Sequence, residues 1–123
     1  MPRFVEMDAT VTIADQLRDD SSDPVVLINT FVVPNEDADA LLNTWSRDAA
    51  IMKRQPGFIS TQLHRGTAGS GTFLNYAVWQ SVAHFREAFA NPEFRAQLSA
   101  YPDSATASPH LFRKVEVPGI CVA

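Results

Sequence analysis

The chain has little of what secreted, membrane or metal proteins need. Cys121 is the single cysteine among 123 residues. One cysteine excludes a disulfide framework and is typical of a reducing cytoplasm, where we expect the protein to reside. No apolar run approaches the roughly 20 residues that cross a bilayer, so we expect no membrane partner. The amino end also lacks the charged and apolar segments of a signal peptide.

Basic residues are few and scattered. Lys and Arg number 10 against 14 Asp and Glu, for a net charge of -4. Without a basic stripe, nucleic-acid binding has little support. The acidic excess lies in residues 1–23, with six acidic and two basic side chains. We interpret 1–23 as a solvated acidic extension, in which residues 10–13 could pair as a short strand, and 24–123 as one domain.

Two kinds of ligand-binding motif are absent. Gly66, Gly69 and Gly71 lie in a predicted hairpin rather than between a strand and a helix, so they do not form a phosphate-binding loop. His64, His84 and His110 are far apart and share no metal-ligand spacing with carboxylates or the cysteine. We therefore expect no metal site.

The apolar pattern predicts alternating strands and helices. The apolar content of 46% is enough for a core. Caps, prolines and hydrophobic periodicity predict strands over 25–33, 58–67, 72–80 and 110–117, with helices over about 35–55, from 81 onward, and over about 92–101.

The predicted order is β-α-β-β-α-β, the split βαβ of an α+β ferredoxin-like fold. This plan gives a four-stranded antiparallel sheet with the first and third strands at its centre and the other two at its edges. Val26 and Ile28 are as apolar as Leu27 and Phe31 on the other face. Since helices cover one face only, we predict a homodimer whose sheets pack face to face.

The segment Asn75-Tyr76-Ala77-Val78-Trp79 is the best candidate for a site. In a strand, Asn75 and Trp79 point to the same, otherwise apolar face. A buried carboxamide without a partner costs about 1–3 kcal/mol, so this pair either binds a flat, oxygen-bearing molecule or is a core Trp with an Asn bonded to backbone. On the pair alone, the second reading is favoured. Asn29 presents the same choice on the first strand.

Two charged or titratable residues could reach the same place. His64 lies on the strand paired with that of Asn75, and whether it shares that face depends on the register. Arg95 lies on a short helix, where it is either a solvated surface group or a fixed positive charge directed into the pocket.

Several short motifs together resemble a known family. They are Val33-Pro34, Gln-Pro-Gly-Phe-Ile at 55–59, Asn-Tyr-Ala-Val-Trp at 75–79, Ser81, Phe85 and a closing Phe-X-X-X-Val strand. Over about 25–120 the chain resembles the antibiotic biosynthesis monooxygenases, and among them the cofactor-independent anthrone oxygenases of aromatic polyketide pathways. The resemblance implies a dimeric α/β barrel that uses O₂ without cofactor or metal.

The resemblance also assigns roles to residues. It implies catalytic roles for Asn75, Trp79, Arg95 and His64. We also expect substrate contacts from Asn29, Phe85, Tyr76 and Trp45. Phe85 departs from the pattern, since a relative has tyrosine there. That substitution removes a hydroxyl that could hold substrate, and Tyr76 and Tyr101 are the remaining tyrosines.

The expected reaction converts a polycyclic anthrone or dihydroquinone to the quinone. Alternatives are a broader quinol monooxygenase and a non-catalytic dimer that binds a polyketide. A haem-degrading branch shares Asn29 and Trp79 but needs a histidine one short helix beyond the Trp. Here that position reads Ala88-Phe89-Ala90, which disfavours haem.

Overall fold

A five-stranded sheet with helices against one face forms the protein. The computed structural model describes residues 1–123. Its strands are β1 (Arg3–Phe4), β2 (Val25–Val32), β3 (Phe58–Arg65), β4 (Thr72–Trp79) and β5 (Thr106–Phe112). Its helices are α1 (Ile13–Gln16), α2 (Ala38–Lys53), α3 (Val82–Phe89) and α4 (Pro92–Gln97), with 3₁₀ turns at Asn35–Asp37 and Leu98–Ala100.

The ferredoxin-like core is confirmed. From β2 onward the chain runs β2-α2-β3-β4-α3-α4-β5, and the strand order is β1-β5-β2-β4-β3. The two strands with apolar residues on both faces, β2 and β4, therefore lie at the centre of the core. Both β4 and β5 pair with β2 in antiparallel fashion, and β3 pairs likewise with β4.

The predicted four-stranded antiparallel sheet is wrong in one respect. A fifth strand, β1, pairs in parallel with β5, so the sheet is mixed and β5 is not an edge. The backbone amides of Arg3 and Val5 donate to the carbonyls of Ala105 and Ala107, both at 2.9 Å. The start of residues 1–23 is thus docked on the sheet and is not a free tail, whereas most side chains of this segment remain exposed to solvent.

The rest of this arm is held by side chains. Residues 10–13 form no strand. Instead Thr12 caps α1 in a capping box with Asp15. Gln16 then binds the backbone of Leu111 twice, donating from Nε2 to the carbonyl and accepting at Oε1 from the amide, both at 2.9 Å. Arg86 donates to the carbonyl of Leu17 at 2.6 Å. Residues 12–17 therefore cover the part of β5 that β1 does not reach.

The last strand begins earlier than predicted. It spans Thr106–Phe112 rather than 110–117 and contains Pro109. A proline predicts a loop because it cannot donate to a ladder. Here Pro109 lies beyond the end of β1, which pairs only with Thr106 and Ala107, so β1 needs no amide from it. The neighbouring Ser108 amide donates to the side chain of Asn29 at 3.1 Å.

The two faces of the sheet differ in cover. Phe73, Ala77 and Trp79 of β4 face the helices and are buried, with Phe85 of α3 packed behind them. The opposite face keeps large apolar side chains in contact with solvent. Tyr76 is 36% exposed and Val32 51% exposed there.

Side chains cap the amino ends of α3 and α4. Ser81 caps α3 and Asn91 caps α4, each by accepting from backbone amides of the first turn. Asp37 precedes α2 but makes no capping bond to it, and its carboxylate accepts from the hydroxyl of Ser104. Gly57 ends the turn after α2 with φ of 85°, a backbone conformation that favours glycine.

None of these helices has both the length and the apolar composition that a bilayer span requires.

Replacing Gln16 tests whether the arm is part of the folded domain. Gln16→Ala removes two bonds to the Leu111 backbone, so we expect the free energy of unfolding to fall by about 1–2 kcal/mol in urea titration. Gln80→Ala, at an exposed glutamine with no side-chain bond, is the matched control. Equal stability of the two variants would contradict the docking of the arm.

Candidate active site

A narrow cavity lies between the helices and the inward face of the sheet. Of its 21 lining residues, 15 are hydrophobic, so it suits a largely apolar molecule. The centre of a water molecule can move through about 60 Å³ of it, which is room for several waters. A few polar side chains interrupt this apolar wall.

Two amides from the central strands meet in the cavity. Asn29 of β2 and Asn75 of β4 are direct cross-strand partners and both line the wall. The Oδ1 of Asn75 accepts from the hydroxyl of Thr61, which leaves its Nδ2 donor without a protein partner. Asn29 accepts from the Ser108 amide at Oδ1. Each amide is therefore oriented by its oxygen, with its NH₂ group available.

Trp79 combines deep burial with an unused donor. Its side chain is 1% exposed, and Phe58 and Phe85 pack edge-on against it with ring centroids 5.4 and 5.7 Å away. Its Nε1 is buried without a hydrogen-bond partner. A buried donor left unpaired costs about 1–3 kcal/mol, a cost that a bound acceptor would remove.

A buried acid, Asp48, lies in the same cavity and was not predicted. Its Oδ2 accepts from the hydroxyl of Tyr101 at 2.7 Å, and both residues line the wall. Burial raises the pKa of Asp48 to about 6, and the Tyr101 bond lowers it in part. Burial, and then the neighbouring carboxylate, raise the pKa of Tyr101, so its hydroxyl stays protonated.

The sequence contains one signal for Asp48. Leu41, Trp45, Asp48 and Met52 recur at helical spacing along the buried stripe of α2, which places a carboxylate on an apolar face. A charged residue is almost never fully buried unless it is paired. That exception, like the Asn in the strand, marks the residue as a candidate.

The structure does not bring His64 and Tyr76 to the cavity. His64 pairs with Leu74, and Tyr76 pairs with Gln62, on the face opposite Asn75 and Trp79. Both are exposed there. The roles implied for them in the site are therefore not supported by their positions.

Arg95 is also outside the cavity wall. Its guanidinium lies 4.6 Å above the ring centre of Phe89, on the exposed side of α4. Phe89 itself lines the cavity, so the cation stacks behind a wall residue rather than inside. Phe85 and Trp45 do line the cavity, as implied.

Part of the wall comes from the docked arm. Pro2 and Phe4 line the cavity, since Phe4 pairs with Ala107 and shares its inward face. Nothing in the local pattern of residues 1–5 predicts this. The lining residues include no histidine or cysteine, and no group of three or more such residues and carboxylates could hold a metal.

Comparison with known proteins gives this site a context. Residues 24–99 match the family described as antibiotic biosynthesis monooxygenase, which is more than half of the chain. The chain belongs to the antibiotic biosynthesis monooxygenase family. The matched segment runs from β2 through α4, and it excludes the arm that carries Pro2 and Phe4.

Proteins that resemble this chain carry the names of oxygenases. Deoxynogalonate monooxygenase of Streptomyces nogalater is 33% identical over 91 residues, covering 74% of this chain and 76% of that protein. SnoaB from Streptomyces nogalater, a cofactor-independent oxygenase, is 30% identical with a TM-score of 0.71, over 79% of this chain and 98% of its own. A putative monooxygenase from Shewanella loihica is 33% identical with a TM-score of 0.68, over 79% and 99%.

The raised pKa of Asp48 predicts a pH-dependent stability. Between about pH 4 and pH 6 the folded protein keeps a proton that the unfolded chain has lost, so Asp48 makes stability fall as pH rises through that window. Asp48→Asn cannot ionise. We expect its free energy of unfolding, relative to wild type, to increase by about 2–3 kcal/mol from pH 4 to pH 7 in urea titrations.

Asp39→Asn is the control for this measurement, since it makes the same change at an exposed position of α2. Its relative free energy of unfolding should change by less than about 1 kcal/mol over the same range. A pH-independent difference for Asp48→Asn would contradict the assignment of Asp48 as a desolvated acid.

Proposed function

We propose that this protein is a cofactor-independent monooxygenase that oxidises an anthrone or dihydroquinone of a polycyclic aromatic polyketide to the quinone with O₂. The observation that carries the proposal is the unpaired indole donor of Trp79 in an apolar cavity that also holds the amides of Asn29 and Asn75. SnoaB, a cofactor-independent oxygenase, and deoxynogalonate monooxygenase support the same chemistry.

The substrate supplies the reducing power for this reaction. Loss of a proton from the methylene of an anthrone gives a delocalised, phenolate-like anion. The anion passes one electron to O₂, and the two radicals combine to a peroxide. Protonation of the peroxide, loss of the second carbon-bound proton and cleavage of the O–O bond release water and leave a carbonyl. One O₂ is consumed for each quinone and each water formed.

The cavity contributes donors to the anion rather than redox chemistry. Trp79 Nε1 and Asn75 Nδ2 donate hydrogen bonds to the oxygen on which negative charge develops. One preorganised donor of this kind is worth about 3 kcal/mol of transition-state stabilisation. The apolar wall strengthens these bonds because it excludes water.

The substrate must displace some of the wall. A tricyclic anthrone is larger than the open space, so we propose that the partly buried side chains of Trp45 and Met52 turn aside on binding. A haem-binding role has no support, since no lining residue offers an imidazole.

We further propose that the protein acts as a homodimer in which a second copy covers the outward face of the sheet. That face carries Ile28, Leu74, Tyr76 and Val78, none of which is fully buried. Packing two such faces together would form the dimeric α/β barrel that the resemblance implies.

Oxygen uptake tests the reaction. The purified, metal-free protein should consume O₂ with a model anthrone such as 1,8-dihydroxyanthrone and form the anthraquinone with saturable kinetics above the spontaneous rate. Simple naphthoquinols oxidised equally fast would indicate a broader quinol monooxygenase. Tight binding without O₂ uptake would contradict the proposal and indicate a binding role.

Two substitutions test the donors. Asn75→Ala and Trp79→Phe should each lower kcat at least about tenfold while the fold is kept, because each removes a donor to the anion. Asn43→Ala, at an exposed asparagine of α2, is the matched control and should keep the wild-type rate. Full activity of both site variants would show that the donors lie elsewhere.

Sedimentation velocity tests the dimer. The chain has a mass of 13.6 kDa, and at micromolar concentration we expect a single species of twice that mass. Val78→Asp places a charge on the outward face and should shift the species to monomer, whereas Ile120→Asp in the exposed tail should not. A monomeric wild-type protein would contradict the proposal.

A further inference from the structure

Two buried polar atoms without partners line the same cavity. One is the donor Nε1 of Trp79, and the other is the acceptor Oδ1 of Asp48. Asp48 is 8% exposed, and its other carboxylate oxygen, Oδ2, accepts the hydrogen bond from Tyr101. A buried carboxylate oxygen without a partner is costly, so its retention points to a group that it meets when the cavity is filled.

No cation neutralises Asp48. Arg47, its neighbour on α2, contacts Thr44 and is exposed to solvent. Arg65 of β3 and Arg95 of α4 each stack on a phenylalanine ring, and neither forms a salt bridge with Asp48. Tyr101 is the one other titratable residue in the cavity wall. A structural ion pair therefore does not explain the carboxylate.

We propose that Asp48 is the general base of this enzyme and that Tyr101 is its positioning residue. This inference rests on the proposed function, since the oxidation requires removal of a proton from the substrate. Asp48 Oδ1 accepts that proton, while the Tyr101 hydroxyl holds Oδ2 and turns Oδ1 to the cavity. The base then lies on α2 and the oxyanion donors on the sheet, on either side of a flat substrate.

Asp48 accepts two protons in turn and returns each of them, so the reaction leaves it unchanged. The carboxylate takes a proton from the methylene carbon, and the C–H electron pair becomes the delocalised anion. After O₂ adds, Asp48 returns this proton to the peroxide anion. It then takes the second carbon-bound proton as the O–O bond breaks, and gives it to the departing hydroxide, which leaves as water. Asp48 ends as a carboxylate, and O₂ is the one oxidant.

The environment suits this role. Burial raises the pKa of Asp48 to about 6, so the group is ionised at neutral pH and is a stronger base than an exposed aspartate. Tyr101 remains protonated as a donor because its own pKa is raised.

The test measures kcat against pH for the full chain with 1,8-dihydroxyanthrone. Wild-type kcat should rise through an acidic limb near pH 6 to a plateau. Asp48→Asn keeps an oxygen acceptor for Tyr101 but no base, so it should lower the plateau by about a hundredfold or more and lose the limb. Asp39→Asn on the exposed face of α2 should match wild type.

Tyr101→Phe separates positioning from folding. The Tyr101 bond lowers the pKa of Asp48, so its loss should move the acidic limb to higher pH, with a smaller loss of kcat than in Asp48→Asn. Asp48→Ala with added formate is the second check, because a small carboxylate that enters the cavity should restore part of the rate. If Asp48 and Tyr101 had a purely structural role, the acidic limb would not shift in Tyr101→Phe and formate would not restore activity to Asp48→Ala.

Failure of the base and failure of the reaction give different results. If wild type oxidises the anthrone and folded Asp48→Asn keeps both rate and limb, Asp48 is not the base and the proposed function stands. If Asp48→Asn is unfolded, an Asp48→Ala variant that folds but is not rescued, together with an unmoved limb in Tyr101→Phe, overturns the assignment. If wild type does not accelerate quinone formation, both proposals fail.

Discussion

The register between β2 and β4 is the constraint on which the site depends. These central strands pair along their whole length, with Val25 opposite Trp79 and Asn29 opposite Asn75. A slip of one residue between them would place Asn29 on the face opposite Asn75 and Trp79. The apolar residues prevent that slip, because it would expose either Leu27 and Phe31 or Phe73 and Ala77, which are buried in the observed register. The same burial that stabilises the sheet therefore holds the donors side by side.

Much of the fold could be predicted from local signals. Pro34 ends the first core strand, Ser81 and Asn91 cap two helices, and the Gly-rich hairpin separates β3 from β4. These features act over a few residues, so a single sequence carries them. The shared face of Asn75 and Trp79 also follows from the two-residue period of a strand. The arm could not be predicted, since its strand has two residues and its partner is about a hundred positions away.

The position of His64 shows a second limit. The pairing of β3 with β4 shifts by one residue between Phe58 and Ser60, where a β-bulge leaves Ile59 unmatched. Phe58 faces Trp79 on the inward side, and without the bulge His64 would follow it inward. The extra residue reverses the alternation, so His64 faces outward. Asp48 could not be assigned for a different reason, because helical spacing places it on the stripe of Leu41 and Met52 but does not show which partner its carboxylate has.

The wall that Pro2 and Phe4 add to the cavity also affects how the protein folds. Residues 24–99 contain the hairpin and the helices that pack on it, whereas β1 can pair only after β5 has joined the sheet. Contacts between distant parts of a chain form slowly, because closing the long loop between them costs entropy before the contacts stabilise the structure. We therefore expect the cavity to be completed late in folding, when β1 joins β5. Until then a partly folded molecule lacks one side of its pocket.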